Sequence, residues 1–272
     1  MLPARTAGLL GAVVFSVMCA MAAMSHAQVA SPSLAGEELL QVLGDGVVGA
    51  PESASAFKDP VRIARWETGE WRYRITSGAR RGQTEMERLE LIGATARGET
   101  WQRTIGNDST LFIREMVGGG FVLPTEIEHT HQALVYFEPP LSYLIAGLGP
   151  GESRVYEGRM DVYSAKTPAL KWYTGRIRAT TLYAGVYRVT TPAGTFRAAL
   201  IKTEYQIDIF AVVSVRDTLY TFYSEGVGKV AEAEHRRINA MALFNSDTKT
   251  GKLLVSYTPA SRPGRIESPQ SP

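Results

Sequence analysis

The sequence predicts an all-β protein, either an antiparallel β-sandwich or a partly open, curved β-barrel, with one short N-terminal helix. Three observations predict it. From Trp66 onward apolar residues recur at every second position, the period of a half-buried strand. Strand-length runs follow one another at short spacing, with polar, Gly or Pro turns between them. A helical pattern is confined to one stretch, Glu37 to Leu43, where Ser33 would cap the start and Gly44 and Gly46 stop it.

Taken in order, the first strand sets Trp71, Tyr73 and Ile75 on one face and Arg72, Arg74 and Thr76 on the other. Trp101, Arg103 and Ile105 alternate with Thr100, Gln102 and Thr104 in the same way, and Asn107-Asp108-Ser109 turns into Leu111–Val117. Gly118-Gly119-Gly120 breaks the chain before extended stretches at Phe121–Ile127 and His129–Phe137. Pro139-Pro140 is expected to end that run. Leu141–Leu148 reads as a short helix or a buried connector, and Gly149-Pro150-Gly151 as a turn. Strands are then expected at Ser153–Tyr163, Leu170–Thr180, Leu182–Thr191, Thr195–Phe210, Thr218–Tyr223, Val227–Ile238 and Leu253–Tyr257.

The best-defined local structure is Thr191-Pro192-Ala193-Gly194-Thr195-Phe196. Pro192 presets the second position of a turn, and Gly194 supplies the left-handed residue that closes a hairpin. Further on, Gly226 and Gly228 join an aromatic strand, Phe222-Tyr223, to the next, as a bend or a close backbone approach requires. The Pro-Ala-Gly-Thr-Phe hairpin, followed by an aromatic strand ending in Gly-Val-Gly, resembles a family of exported bacterial proteins described as TapB-like or DUF3108-like. The resemblance covers residues 135–257, and Phe222 and Ser224-Glu225 stand where that family has Trp and Ala-Pro. It implies a periplasmic β-sheet fold and hands over no catalytic residue.

The first 27 residues predict where the protein works. Arg5 precedes an uncharged apolar run from Leu9 to Met24, which closes on Ser25-His26-Ala27, the pattern of a secretory signal peptide cut before Gln28. Cys19 lies mid-run, with Met18 and Ser16 where a lipidation signal needs a small and an aliphatic residue. The expected organisation is a signal peptide at 1–27, an Ala/Ser/Pro/Gly-rich segment at 28–60 and a single β-rich domain at 61–257. A tail without fixed structure at 258–272, with four prolines, would follow.

Cleavage removes the only cysteine and Arg5, so the mature chain has a formal charge of +1 and no thiol chemistry. Its charges are interleaved rather than gathered in a basic stripe, which argues against nucleic acid as a partner. No later run is long and apolar enough for a transmembrane anchor.

Candidate chemistry is sparse. In a strand, His129 and His131 of Glu126-Ile127-Glu128-His129-Thr130-His131 would share a face and present two imidazoles to a zinc ion; such a site needs a third protein ligand, and nothing in the sequence brings His235, the one other mature histidine, near. No Gly-x-Ser-x-Gly elbow and no phosphate-binding loop is present. The pairs Glu85/Glu87 and Glu232/Glu234 read as solubilising charges on exposed strand faces. Aromatic residues at Trp172, Tyr187, Phe222 and Tyr223 would line an apolar groove for a lipid or other amphiphile. The expected protein is therefore soluble, periplasmic or secreted, non-catalytic and without a cofactor, a binding or envelope-support module. The alternatives are a metal-assisted hydrolase using His129 and His131, and a partner protein in an envelope assembly.

Overall fold

A computed structural model describes residues 29–31, 33–34, 37–64, 67–209, 213–240 and 244–260. The expected signal peptide, its cleavage site and most of the expected tail lie outside these residues. The strands are β1 (Val29–Ala30), β2 (Val48–Ala54), β3 (Gly69–Ile75), β4 (Thr84–Thr95), β5 (Gly98–Ile105), β6 (Ser109–Glu115) and β7 (Phe121–Glu128). They continue as β8 (Ala133–Leu144), β9 (Ser153–Ser164), β10 (Lys171–Thr191), β11 (Gly194–Ile209), β12 (Val213–Ser224), β13 (Gly228–Ala240) and β14 (Phe244–Pro259). A 3₁₀ turn covers Glu38–Leu43, and one short helix, α1, covers Pro60–Ile63 with Asp59 accepting from the Arg62 backbone N–H.

The all-β, antiparallel reading holds; the sandwich and the partly open barrel do not. From β3 to β14 each strand pairs with its successor, and β14 pairs back onto β3, so twelve antiparallel strands form a closed ring. Closure leaves none of these strands as a free edge along the ring, which neither an open barrel nor a sandwich achieves. β2 is an extra strand. It pairs with β10 at Val186–Val189, beyond the stretch where β10 pairs with β9.

Three expected boundaries move, each for a physical reason. The run through Pro139-Pro140 does not end there but continues to Leu144, because the β7–β8 ladder skips from Thr125↔Tyr136 to Leu123↔Leu141. That bulge holds Pro124, Pro139 and Pro140 where no ladder N–H is needed. The two strands expected across Leu170–Thr191 are one strand with a bulge between Tyr183 and Gly185. Gly185 has φ +124°, and a Cβ there would stand 2.2 Å from Ser31 Oγ, so the bulge needs glycine. His129–Gln132 is a turn between β7 and β8 rather than strand.

Register assigns one continuous face to the ring interior. Trp71 lies opposite Glu87, Tyr73 opposite Glu85, Glu232 opposite Lys252, and Lys252 opposite Ile75. The other face points out, where Glu157, Arg159, Arg176, Arg178, Glu204 and Gln206 are exposed along β9–β11. A wall charged along its length does not face hydrocarbon, so the ring is the inverse of a transmembrane barrel. A second core forms on this outer side. Leu200, Phe222, Ala231 and Leu253 are buried beneath Leu39, Leu40 and Leu43 of the 3₁₀ turn. Thr76 Oγ1 donates to the Val42 carbonyl at 2.6 Å, Tyr220 Oη to Glu37 at 2.7 Å, and Ala193 N of the β10–β11 turn to the Leu254 carbonyl at 3.1 Å. The described residues between 37 and 57 thus strap the outside of the wall.

Candidate functional site

The ring interior is where the chemistry concentrates. Four carboxylates (Glu85, Glu87, Asp108, Glu232) and four cations (Arg80, Arg103, Lys229, Lys252) form one continuous ion-pair network. Lys229 Nζ lies 2.5 Å from Glu87 and 2.7 Å from Glu232; Lys252 Nζ lies 2.6 Å from Glu85 and 3.2 Å from Glu232. Arg103 donates to Glu87 and, at 2.8 Å, to Tyr143 Oη on β8. Trp71 Nε1 donates to the Val227 carbonyl and Tyr73 Oη to the Lys229 carbonyl, at 2.7 and 2.9 Å. Glu87 is 1% exposed and Lys229 4%, depths at which an unpaired charge would be untenable.

Burial alone would raise the Glu87 carboxyl, but Arg103, Lys229 and Lys252 overcome it and hold it below the ordinary range. The same competition, burial against Lys229 and Lys252, leaves Glu232 far below that range. Burial pushes the Tyr73 and Tyr223 hydroxyls well up. Near neutral pH Glu87 and Glu232 therefore stay ionised, and the ion pairs work as cross-links between β4, β5, β13 and β14. A cavity of about 20 Å³ lies against it, between Trp71, Glu87, Arg103 and Tyr223. That is room for about one water.

A second interior group behaves differently. Arg236 on β13 pairs with Asp217 at 3.0 Å and Glu234 at 2.6 Å. Burial and the neighbouring Glu234 push Asp217 up to about 7, against Arg236. Burial likewise pushes Glu126, on β7, up to about 7 against the pull of Arg236. Both carboxyls have folded pKa values above their unfolded ones, so they bind protons in the folded state first. Their contribution to stability is present below the ordinary carboxylate range and is lost as pH rises through about 7. Denaturant titration from pH 5 to 8 is expected to show stability falling with pH, and Asp217→Asn with Glu126→Gln to flatten the slope. A slope unchanged in the double variant would assign it elsewhere.

The residues singled out in the sequence do not converge. Tyr187 and Phe222 are fully buried on the outer side of the wall, in edge-to-face contact at 6.5 Å and 86°. Tyr223, the next residue, points into the ring beside Arg103 and Glu87. Trp172 lies at the start of β10 and is 37% exposed. His129 Nε2 meets Thr110 Oγ1 at 2.9 Å, and His131 Nδ1 meets Glu128 at 2.9 Å, so the two imidazoles serve different partners. His235 is bonded to Asp247 at 2.8 Å. Among the described residues no three His, Cys, Asp or Glu side chains converge as a metal site.

Thr191 pairs with Gly194 (φ +136°) around Pro192-Ala193. Gly226 (φ +74°) and Gly228 (φ +91°) close the β12–β13 turn, with the Ala64 carbonyl 3.0 Å from where a Gly228 Cβ would stand.

The sequence reading missed the interior charges. Glu85 and Glu87 were expected on exposed strand faces and are 4% and 1% exposed; Glu232 and Glu234 face the interior with them. The signal was there for part of it: Glu85 and Glu87 are in phase with Leu89 on β4, and Lys229 stands alone between Val227 and Val230-Ala231.

No family model matches the chain and no curated protein matches it, so TapB-like, DUF3108-like membership stays a resemblance. Solved structures are similar. An exported protein with a YmcC-like fold from Bacteroides fragilis is 14% identical, with a TM-score of 0.44, over 75% of this chain and 99% of its own. A lipoprotein from Parabacteroides distasonis is 11% identical, with a TM-score of 0.35, over 76% and 100%. The hypothetical lipoprotein YmcC from Escherichia coli is 9% identical, with a TM-score of 0.33, over 72% and 88%.

Proposed function

We propose that this is an exported, non-catalytic protein of the bacterial envelope that works through its outer surface and not through an enclosed ligand. The observation that carries this reading is the bridged interior. Arg103 reaches Tyr143 and Lys229 reaches Glu87 across the ring, and the space beside them is about 20 Å³. A site that encloses a lipid-sized ligand needs about 300 Å³ or more. Export rests on the leader, with its Arg5 head, apolar core and Ser25-His26-Ala27 exit. An envelope partner is the reading that a filled barrel with a polar wall favours.

Native mass spectrometry of the protein isolated from its own compartment is expected to return the bare mature mass. A stoichiometric lipid that survives the measurement would overturn the reading.

A further inference from the structure

The ring interior holds two charged groups that differ in balance. Around Glu87 and Lys229, four carboxylates meet four cations. The second group lies on β7, β12 and β13, near the rim that carries the turns at 106–108, 129–132 and 165–170. There Glu126, Asp217 and Glu234 share one guanidinium, that of Arg236. With every carboxyl ionised, two negative charges would stand uncompensated inside the wall, where they cost far more than in water.

The geometry at Asp217 marks where the missing positive charge goes. Its side chain is 10% exposed, and Oδ2 accepts from Arg236 Nε at 3.0 Å. Oδ1 is buried with no hydrogen-bond partner among the described residues. An ionised carboxylate can only accept, so this oxygen gains a bond only by carrying a proton, and Glu234 is the acceptor within its reach. Glu126 stands between Leu111 and Val135, both buried, and the cation it feels is Arg236 across the ring. The remaining neighbours bring no further cation. β11 contributes Tyr205 opposite Asp217, and Tyr143 of β8 lies beside that ring. β14 contributes Thr248 and Thr250 opposite Arg236 and Glu234, and β7 adds Glu128.

We propose that two protons are the counter-ions of this group and make it a latch: while they are bound, β12 and β13 stay closed at Asp217↔Arg236, and their loss parts the strands there while the balanced network holds the rest of the ring. A carboxyl that is neutral in the closed state and ionised in the open one favours closure at low pH. Closure is complete below the ordinary carboxylate range and fails as pH rises through about 7. Arg236 is half-exposed at this end, so the parted strands would admit water to Tyr205 first. The latch is independent of the outer-surface reading, which a retained lipid would overturn and which the outcomes below leave standing.

Amide hydrogen exchange of the exported protein at pH 6, 7 and 8, corrected for the intrinsic pH dependence of exchange, tests this. Amides at Tyr205, Asp217 and Arg236 are expected to quicken up to about tenfold per pH unit above 7, as the protonated fraction falls. Those at Trp71, Glu87 and Trp101 are expected to hold. Asp217→Asn with Glu126→Gln should keep exchange slow throughout, whereas Glu157→Gln, on the exposed outer wall, should leave the response intact. Carbon-13 shifts of the carboxyls in the unaltered protein give a second readout that needs no variant, with Asp217 and Glu126 expected to titrate near neutrality. Exchange that does not change with pH, or that quickens equally in both groups, overturns the latch. So does a response that survives in the double variant, or a titration of both carboxyls in the ordinary range.

Discussion

Glu87→Gln is expected to destabilise the protein by about 3–5 kcal/mol, the cost of leaving buried charge uncompensated. Glu87 is 1% exposed and accepts from both Lys229 and Arg103. Without its charge the network holds four cations against three carboxylates, and Arg103 loses its only carboxylate partner among the described residues. For a chain of this size that loss corresponds to a fall in Tm of roughly 6–20 °C. Lys229→Met alone should be comparably damaging. The double variant removes one charge of each sign, and its cost should fall well below the sum of the two singles. A Glu87→Gln variant within about 0.5 kcal/mol of the parent, the range of ordinary surface changes, would show the network to be effectively solvated.

Phe222→Ala is expected to cost about 3–5 kcal/mol by a different route, as a large cavity in a closed apolar site. Phe222 lies on the outer side of the wall, fully buried, with Tyr187 edge-on to it and Leu200, Ala231 and Leu253 on neighbouring strands. Its loss should loosen the strap before the ring. Hydrogen exchange should quicken first at Leu39–Leu43 and Phe57, while Tyr73 and Ile113 stay protected. Uniform loss of protection would mean that strap and ring unfold as one unit.

Much of the ring was legible because a half-buried strand advertises itself by its period. Trp71, Tyr73 and Ile75 all point inward as alternation required, and the turns at Asn107–Asp108, Gly118–Gly120 and Pro192–Ala193 fall where they were expected. The first half of β14, Phe244–Lys252, was not legible. It reads Asn-Ser-Asp-Thr-Lys-Thr-Gly-Lys after its Phe, with no apolar alternation, because its interior neighbours are charged rather than apolar. Closure was hidden for another reason. Alternation says which face of a strand is buried but not which two edges meet, and the β14–β3 contact joins residues more than 170 positions apart, as between Tyr73 and Leu254. Of the candidate site, the aromatic content was visible, whereas its division was not. Tyr187 and Phe222 went to the strap, Tyr223 to the charged interior and Trp172 to the rim. Phe222 and Tyr223 part by plain alternation along β12, whereas the bulge between Tyr183 and Gly185 resets the register ahead of Tyr187.

The β14–β3 seam bears on how the molecule is made. Every other pairing in the ring joins sequence neighbours and can form as a hairpin once both strands are present. A chain delivered across a membrane N-terminus first would assemble β3 to β13 as a growing curled ribbon with two bare edges. Only the arrival of Phe244–Pro259 closes it, since that strand alone touches both β13 and β3. Until then β3 offers Trp71 and Tyr73 next to unpaired backbone, the template on which nascent sheets stick to one another. The last strand to emerge is the one that ends the exposure, so the hazard is concentrated in the interval before residue 259 is free.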